Sequence, residues 1–509
     1  MKLLRNKYRW LAVLVALWTR GLGFVMGAPP ETVDFKTTTF TPLPVVLTEE
    51  KDTLIFSDSP EYVNKPGVLA AGTVDGTGRV YFYHVNEMKD PQKIAIVLEN
   101  TSKKNVDVTV HREVFAKPNR EYFVVGSELS REDLDTPYVG TNRQWQPAAQ
   151  RKRSAEAGGG AGPRGNALSL KDTIEQIADN ATTDKSTADT AVANTATANI
   201  ATANKDGAIE KMAVADQRGD DEAVKVGDDV VGKQREQAVK AWRKEVRQQA
   251  QAEAKLKPTV LDTVTLAPGG KQAFFSKLDK IPIPQDDLFS GIFDFTSSGP
   301  VYVKVMMLPF DTPALGGSLM AETLPMDEVA LRGTYVGAQR RLTLMQPFDS
   351  ALGPVSIMVA NDREDPFVEG VDELTPNAAS NVSGTGSAAG VAGATGDVST
   401  AAAVTGTAVT NRGNYGVSYE VTIPTMGNRD FALYINPLGG AYAGSFKVTY
   451  DGTSEIYNVP TGARLFLGYN TTQDTQYFNT YKAGKLLTIQ FMPAGASNLP
   501  IQFLLVPQA

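Results

Sequence analysis

The stretch that decides the fold class is KIAIVLENTSKKNVDVTV, residues 93–110. Apolar residues alternate with other residues on both sides of the polar run 100–105. A period of two is typical of β-strands, and two such strands around a short polar turn predict a β-hairpin. The polar face of the second strand carries His111, which we therefore expect to face solvent.

Strand-like segments recur before and after this stretch and predict a mainly β fold of two β-sandwich, immunoglobulin-like modules. In the C-terminal region one face of a strand is formed by Tyr415, Val417, Tyr419, Val421 and Ile423. The last residues, LPIQFLLVPQA, are apolar on both faces, which predicts a central strand of a sheet.

Two segments lack the strand pattern. Residues 127–256 hold the basic cluster Arg151–Arg153, a glycine-rich run and an Ala/Thr/Asn tract, followed by REQAVKAWRKEVRQQAQAEAKLK. In this last piece Val239, Trp242 and Val246 share one helical face. A helical hairpin or coiled-coil-like protrusion and a partly disordered segment are both compatible with this composition. Because strands of similar character lie on either side, we expect an insertion into one sandwich.

The predicted organisation follows from these changes of pattern. Residues 375–413, rich in Gly, Ala, Ser and Thr, are typical of a flexible linker. The predicted ranges are a signal peptide (1–28), a first sandwich (29–126 plus 257–374), an insertion (127–256), a linker (375–413) and a C-terminal sandwich (414–509).

The N-terminus is typical of an export signal. Four basic residues precede the apolar run 10–18, and small residues at Gly27 and Ala28 provide a cleavage site. An uncleaved anchor reaching from Trp10 to Ala28 is the alternative. No later segment is apolar enough to span a bilayer. We therefore expect a secreted or extracellular protein. Association with the cell envelope is compatible with this expectation.

Composition excludes several kinds of chemistry. The chain has 50 Lys and Arg against 57 Asp and Glu, a formal charge of −7, so a nucleic-acid partner is not expected. It has no cysteine, which excludes disulfides, thiol nucleophiles and thiolate metal ligands.

Only two histidines, His84 and His111, are available for catalysis. They lie on predicted strands without the spacing of a zinc protease, and the chain has no G-x-S-x-G or P-loop motif. We predict no catalytic residues and no cofactor. A hydrolase that uses a pair of carboxylates on wall polysaccharide is the alternative, because many acidic pairs could form.

The acidic stretch ANDREDPFVEGVDEL, residues 360–374, is the one candidate metal site. Asp362, Glu364 and Asp365 offer the oxygen ligands that calcium prefers, although their spacing matches no EF-hand loop. We note them as weak calcium ligands and favour a solvated acidic loop.

Tyrosine is concentrated near the C-terminus. Nine of the 17 tyrosines lie between residues 415 and 481. Tyrosine suits binding faces because its ring is large and amphipathic, but Tyr415 and Tyr419 fall on the buried stripe. Outside the leader the tryptophans are Trp145 and Trp242, both within the predicted insertion, so a tryptophan-lined sugar-binding face is not expected in either sandwich.

Several segments resemble secreted bacterial proteins of the Firmicutes type that carry, or are named after, a copper amine oxidase-like N-terminal domain. These segments are GTVDGTGRVYFYHVN, IAIVLENTSKKNVDVTVHR, LRGTYVGAQRRLTL, NRGNYGVSYEVTIP, NPLGGAYAGSFKV and MPAGASNLPIQFLLVPQ. The resemblance covers most of the β regions and implies no established activity. Copper amine oxidases make a quinone from a tyrosine in an Asn-Tyr-Asp/Glu motif and bind copper through three histidines. This chain has Asn414-Tyr415-Gly416 and two histidines, so we expect no oxidase activity.

We therefore expect a secreted or envelope-associated structural or binding protein without catalytic activity, with a cell-wall or extracellular component as partner and no membrane contact beyond the leader. The alternatives are the carboxylate-dependent hydrolase and a self-assembling surface subunit that forms homo-oligomers through the insertion.

Overall fold

A computed structural model describes residues 33–49, 51–135, 259–328, 331–375, 406–461, 466–468 and 474–509, with Gln237, Lys240, Trp242 and Lys244 as isolated helical positions. The described chain is mainly β and is built from packed sheets, which confirms the predicted sandwich-like fold class.

The elements are numbered in chain order. The strands of the first half are β1 (Thr41–Pro42), β2 (Val45–Glu49), β3 (Thr53–Ser57), β4 (Tyr62–Val63), β5 (Gly67–Val74), β6 (Thr77–Asn86), β7 (Gln92–Asn100), β8 (Val106–Phe115), β9 (Asp262–Leu266), β10 (Lys271–Phe274), β11 (Leu288–Ser297) and β12 (Val301–Pro309). Those of the second half are β13 (Arg332–Val336), β14 (Gln339–Leu344), β15 (Phe348–Asp349), β16 (Val355–Val359), β17 (Val368–Asp372), β18 (Thr407–Asn411), β19 (Ser418–Met426), β20 (Asp430–Asn436), β21 (Gly444–Tyr450), β22 (Thr453–Val459), β23 (Gln476–Lys482), β24 (Leu486–Phe491) and β25 (Ile501–Pro507). The helices are α1 (Tyr122–Asp135), a 3-10 turn (Leu278–Lys280) and α2 (Ala314–Met320).

The first sandwich pairs a nine-stranded sheet with a four-stranded one. The nine-stranded sheet, called the central sheet below, has the order β18-β17-β13-β3-β6-β11-β8-β9, with β4 paired to β6. The four-stranded sheet has the order β10-β7-β12-β5. Successive strands of the chain therefore alternate between the two sheets. The connections β5–β6, β6–β7, β7–β8, β9–β10, β10–β11 and β11–β12 each cross from one sheet to the other.

The predicted hairpin at residues 93–110 is wrong. Strand β7 pairs with β10 and β12 in the four-stranded sheet, whereas β8 pairs with β9 and β11 in the central sheet. The connection is a β-arch, in which successive strands lie in opposite sheets, and Asn100 Nδ2 holds it by donating to Lys104 O at 2.7 Å and Leu266 O at 2.8 Å. The alternation separated the two faces of each strand, but it gave neither the partner of the strand nor what covers each face.

The strands on either side of the predicted insertion pair directly. Strand β8 runs antiparallel to β9, from Val106 opposite Leu266 to Val110 opposite Asp262. The strands that flank the predicted insertion are therefore neighbours in one sheet, as an insertion into a single sandwich requires. The start of the predicted insertion forms most of α1, and the cluster Arg151–Arg153 lies outside the described residues. Trp242 is helical and only 5 % exposed.

The second sandwich uses more of the chain than residues 414–509. One sheet has the order β2-β14-β19-β24-β21-β22, with β15 paired to β19, and the other has the order β1-β16-β25-β20-β23. Strands β1, β2, β14, β15 and β16 come from ranges assigned to the first sandwich. Strand β18, from the predicted linker, pairs with β17 in the central sheet. The predicted ranges therefore need two corrections. The first-sandwich range also supplies strands to the second sandwich, and the predicted linker 375–413 contains a strand of the central sheet.

The central sheet is buried on both faces. Ile55, Val80 and Phe82 contribute to the core shared with the four-stranded sheet. On the opposite face Phe56, Tyr81 and other residues join the core of the second sandwich, which also contains Val421, Ile489 and Phe503. The last strand, β25, lies inside its sheet with both faces apolar, as predicted for a central strand.

A buried charge network joins this sheet to α1. Asp294 on β11 accepts hydrogen bonds from Arg79 Nε and Arg112 Nε, each at 2.8 Å. Arg112 also donates to the main-chain oxygen and the carboxylate of Asp133 at the end of α1. Arg79 reaches Gly416 O at 3.1 Å, in the loop before β19. Through its two arginine partners, the Asp294 carboxylate therefore joins strands β6, β8 and β11 to α1 and to a loop of the second sandwich.

Replacing Asp294 with Ala should destabilise the fold strongly, because two buried guanidinium groups would lose their shared carboxylate. We expect the free energy of unfolding, measured by urea denaturation, to fall by about 3–5 kcal/mol. The control is Glu99→Gln, which breaks the 3.0 Å pair with Lys271 at a partly exposed position and should cost less than about 1 kcal/mol. Similar losses in the two variants would contradict this role of Asp294.

Candidate functional site

The two histidines were the first candidates for chemistry, and the structure buries both. His84, on β6, is fully buried, with Nε2 at 2.8 Å from Ser57 Oγ and Nδ1 at 2.8 Å from Pro60 O. Because a carbonyl oxygen can only accept, Nδ1 carries the ring hydrogen and Nε2 accepts the hydroxyl hydrogen of Ser57. Burial lowers the pKa of His84 to about 4, so the ring is neutral at pH 7.

A serine hydroxyl that donates to histidine is the arrangement by which many hydrolases activate a nucleophile. Here Ser57 and His84 are both 0 % exposed, and the second ring nitrogen faces a main-chain carbonyl. With Ser57 Oγ enclosed, the pair fastens the loop 57–60 to β6. The sequence did not reveal it, because the two residues are 27 positions apart and meet through the parallel pairing of β3 with β6.

Three carboxylates lie around the same loop. Asp327 Oδ2 accepts the Glu61 amide at 3.0 Å, and the Asp327 amide donates to Ser59 Oγ at 2.8 Å. Burial, with repulsion from neighbouring carboxylates, raises the pKa of Asp58 and of Glu61. Protonation of these acids as the pH falls favours the folded state, whereas protonation of His84 opposes it.

The prediction that His111 faces solvent is wrong. His111 is 6 % exposed, with Nδ1 at 2.6 Å from Thr259 O and Nε2 at 2.9 Å from Thr296 Oγ1. It is the residue that the register between β8 and β11 skips, because Asp294 pairs with Arg112 and Phe295 with Val110. A β-bulge turns the extra side chain out of the regular alternation. The alternation in the sequence therefore could not show whether His111 is exposed.

The proposed calcium ligands are used by the protein itself. Asp365 is fully buried and accepts from Arg340 Nη1, the Tyr419 hydroxyl and the Ala360 amide, each at 2.7 Å. The Asp362 side chain accepts the Phe367 amide, and Glu364 accepts from Asn361. Within the described parts of the chain no three acidic or histidine side chains are grouped so as to hold a metal. The structure does not bring the three acids together as a ligand set, and calcium binding stays a prediction.

The segment compared with the amine oxidase motif is a turn. Asn414 Nδ2 donates to the Tyr419 hydroxyl at 2.7 Å, and the Tyr415 hydroxyl donates to Ser497 O at 2.7 Å. Gly416 has φ +79°, and a Cβ there would lie 2.7 Å from Tyr81. Position 416 therefore favours glycine, because any side chain there would collide with Tyr81.

A cluster of tyrosines lies where the second sandwich ends. The tyrosine–glutamate cluster comprises Tyr450, Glu455, Tyr457 and Tyr481. Strands β22 and β23 are the last strands of their two sheets, and these side chains point into the gap between them. The ring centroids of Tyr450 and Tyr481 are 4.9 Å apart, and Tyr457 stacks on Phe478 at 4.9 Å.

The cluster combines ring surface with a carboxylate. Tyr450, Glu455 and Tyr457 are half-buried and Tyr481 is 9 % exposed. The Tyr457 hydroxyl donates to Glu455 Oε2, and burial raises the pKa of Tyr457 to about 12. The tyrosine count pointed to this region, but the sequence did not separate these residues from core tyrosines such as Tyr419.

Comparison with family models, curated proteins and solved structures found no match. Among the described residues, no helix is both long and apolar enough to cross a bilayer. The resemblance noted from the sequence therefore stays a prediction.

Replacing His84 with Gln should change how stability depends on pH. The pKa of His84 lies below its ordinary value of 6.5, so the unfolded chain binds this proton more readily, and stability is lost as the pH falls from 6.5 to about 4. Urea unfolding of wild type should lose about 3 kcal/mol more than H84Q over this interval. Ser57→Ala, which keeps the imidazole, should retain the wild-type loss. Parallel curves for wild type and H84Q would contradict the assignment.

Replacing Asp365 with Asn should destabilise the protein through Arg340 and not through a lost metal. We expect a loss of about 2–4 kcal/mol because a buried guanidinium loses a charged partner. Thermal unfolding should show the same loss in millimolar calcium and in EDTA. If calcium stabilises wild type and this gain disappears in D365N, Asp365 is a calcium ligand after all.

Proposed function

We propose that this protein is a secreted or envelope-associated binding protein without catalytic activity, and that it binds a cell-wall or extracellular component through the tyrosine–glutamate cluster. The observation that carries the proposal is the position of three tyrosines and a carboxylate beside β22 and β23, the last strands of the two sheets of the second sandwich. Large rings of low conformational entropy on a rigid support are well suited to binding.

The burial of the reactive side chains supports the proposal that the protein has no catalytic activity. His84 and His111 are buried, and all four ring nitrogens lie within hydrogen-bond distance of protein oxygens. The charged side chains Arg79, Arg112 and Asp294 are used to join strands and α1. A general acid or base has to reach its substrate within hydrogen-bond distance, and these groups lie in the protein core.

The proposal that the protein is exported is based on the N-terminal leader, residues 1–28. Its basic start, apolar run and small residues before Pro29 are typical of a secretory signal. The absence of cysteine suits a protein whose stability outside the cell comes from its cores. Retention at the envelope would then come from binding.

A sedimentation assay with purified cell-wall material tests the binding face. The double variant Tyr450→Ala/Tyr457→Ala should lose at least about 10-fold in bound fraction, because both half-buried rings are removed. Tyr302→Ala removes a half-buried tyrosine from the other sandwich and should bind like wild type. Thermal unfolding of each variant confirms that it is folded.

The same samples test the alternatives. Equal sedimentation of the double variant and wild type would place the binding face elsewhere. Release of soluble saccharide from the wall would favour the carboxylate-dependent hydrolase, and peroxide formed from an amine after copper loading would favour an oxidase. We expect neither product.

A further inference from the structure

Within the described residues, the carboxylate of the tyrosine–glutamate cluster has no cationic partner. Glu455 accepts a hydrogen bond from the hydroxyl of Tyr457, and no Lys or Arg in the described parts of the chain forms an ion pair with it. The lysines of the neighbouring strands lie on the other faces. Lys447 follows the inward-facing Phe446, and Lys482 follows the inward-facing Tyr481, so strand alternation directs both away from the gap.

The rings around Glu455 add negative potential to the same place. The face of an aromatic ring carries partial negative charge and attracts cations, most strongly where water is partly excluded. Tyr450 and Tyr481 are in ring contact at 4.9 Å. Burial is the main cause that raises the pKa of the Tyr457 and Tyr481 hydroxyls, and the nearby charge of Glu455 raises it further. Ring faces and carboxylate are thus concentrated at one half-exposed position.

Two of the three hydroxyl groups of the cluster already donate their hydrogen within the protein. Tyr450 donates to Lys482 O, and Tyr457 donates to Glu455. A neutral sugar would depend on such groups for its hydrogen bonds, whereas a cation requires ring faces and an uncompensated negative charge. The feature of the cluster that the described residues leave unsatisfied is therefore the negative charge of Glu455.

We propose that the tyrosine–glutamate cluster binds an organic ammonium cation. This deepens the proposed function, on which it rests, by naming the chemical class of the ligand. The shared chemistry is an ammonium group flanked by methyl or methylene carbons, which contact the rings while the charge lies near Glu455. Such a group occurs in a choline-type substituent and in a lysine side chain.

Isothermal titration with small probes tests the charge requirement. Choline and Nα-acetyl-lysine amide represent the two sources, and 3,3-dimethylbutanol is the neutral isostere of choline. We expect a Kd on the order of 1 mM for at least one cation and binding at least about 10-fold weaker for the neutral isostere. The stronger of the two cations identifies the source.

Matched variants locate the site. Glu455→Gln keeps the shape and removes the charge, and it should weaken cation binding about 10-fold. Tyr450→Leu removes a ring and should weaken it several-fold, which gives a second measurement if one variant is poorly folded. Glu128→Gln, at an exposed position on α1, should bind like wild type.

The outcomes separate this inference from the proposed function. Binding of choline and dimethylbutanol with equal affinity, no effect of E455Q, or no cation binding at all would overturn the ammonium proposal. Glu455 would then be an inward-pointing charge that protects an edge strand from pairing. Wall sedimentation that depends on Tyr450 and Tyr457 would still support the proposed function in that case, whereas loss of that dependence would overturn both.

Discussion

The structure depends on a sheet that is covered on both faces. Strands β6 and β11 lie in the middle of the central sheet, with one face in each core, so their polar side chains cannot reach water. Asp294 and Arg79 are direct neighbours across these strands. A buried charge is tolerated only when it is paired and hydrogen-bonded. The position of α1, with Asp133 at its end, and that of the loop at Gly416 both satisfy this requirement.

The same arrangement explains why the two sandwiches share strands. Each arch carries the chain from one sheet to the opposite one, so a strand pairs with segments far away in sequence. Strands β14 and β16 continue this pattern by entering the sheets of the second sandwich, with β14 parallel to β19. Polar turns such as 100–105 use the same residue types in an arch as in a hairpin. Long-range pairing therefore replaces the local pairing that the sequence suggested.

The distribution of polar groups follows from this packing. His84, His111 and Asp365 are buried, and their hydrogen bonds join loops to strands. The end of the second sandwich is different, because β22 and β23 are the last strands of their sheets in the described part of the chain. There tyrosine rings complete the core on one side and remain partly exposed on the other. Glu455 owes its position to this edge, which is why the binding proposal concerns this part of the protein.

The sequence by itself determined the mainly β class, the buried stripe Val417, Tyr419, Val421 and Ile423, and the central position of the last strand. These properties follow from alternation and composition, which are local. Only the tertiary structure decided the arches, the sharing of strands between sandwiches, the burial of His111 and Asp365, and the meeting of Tyr450, Glu455, Tyr457 and Tyr481. Strand partners and bulges depend on contacts between distant segments, and a period of two gives the face of a side chain but not what covers that face.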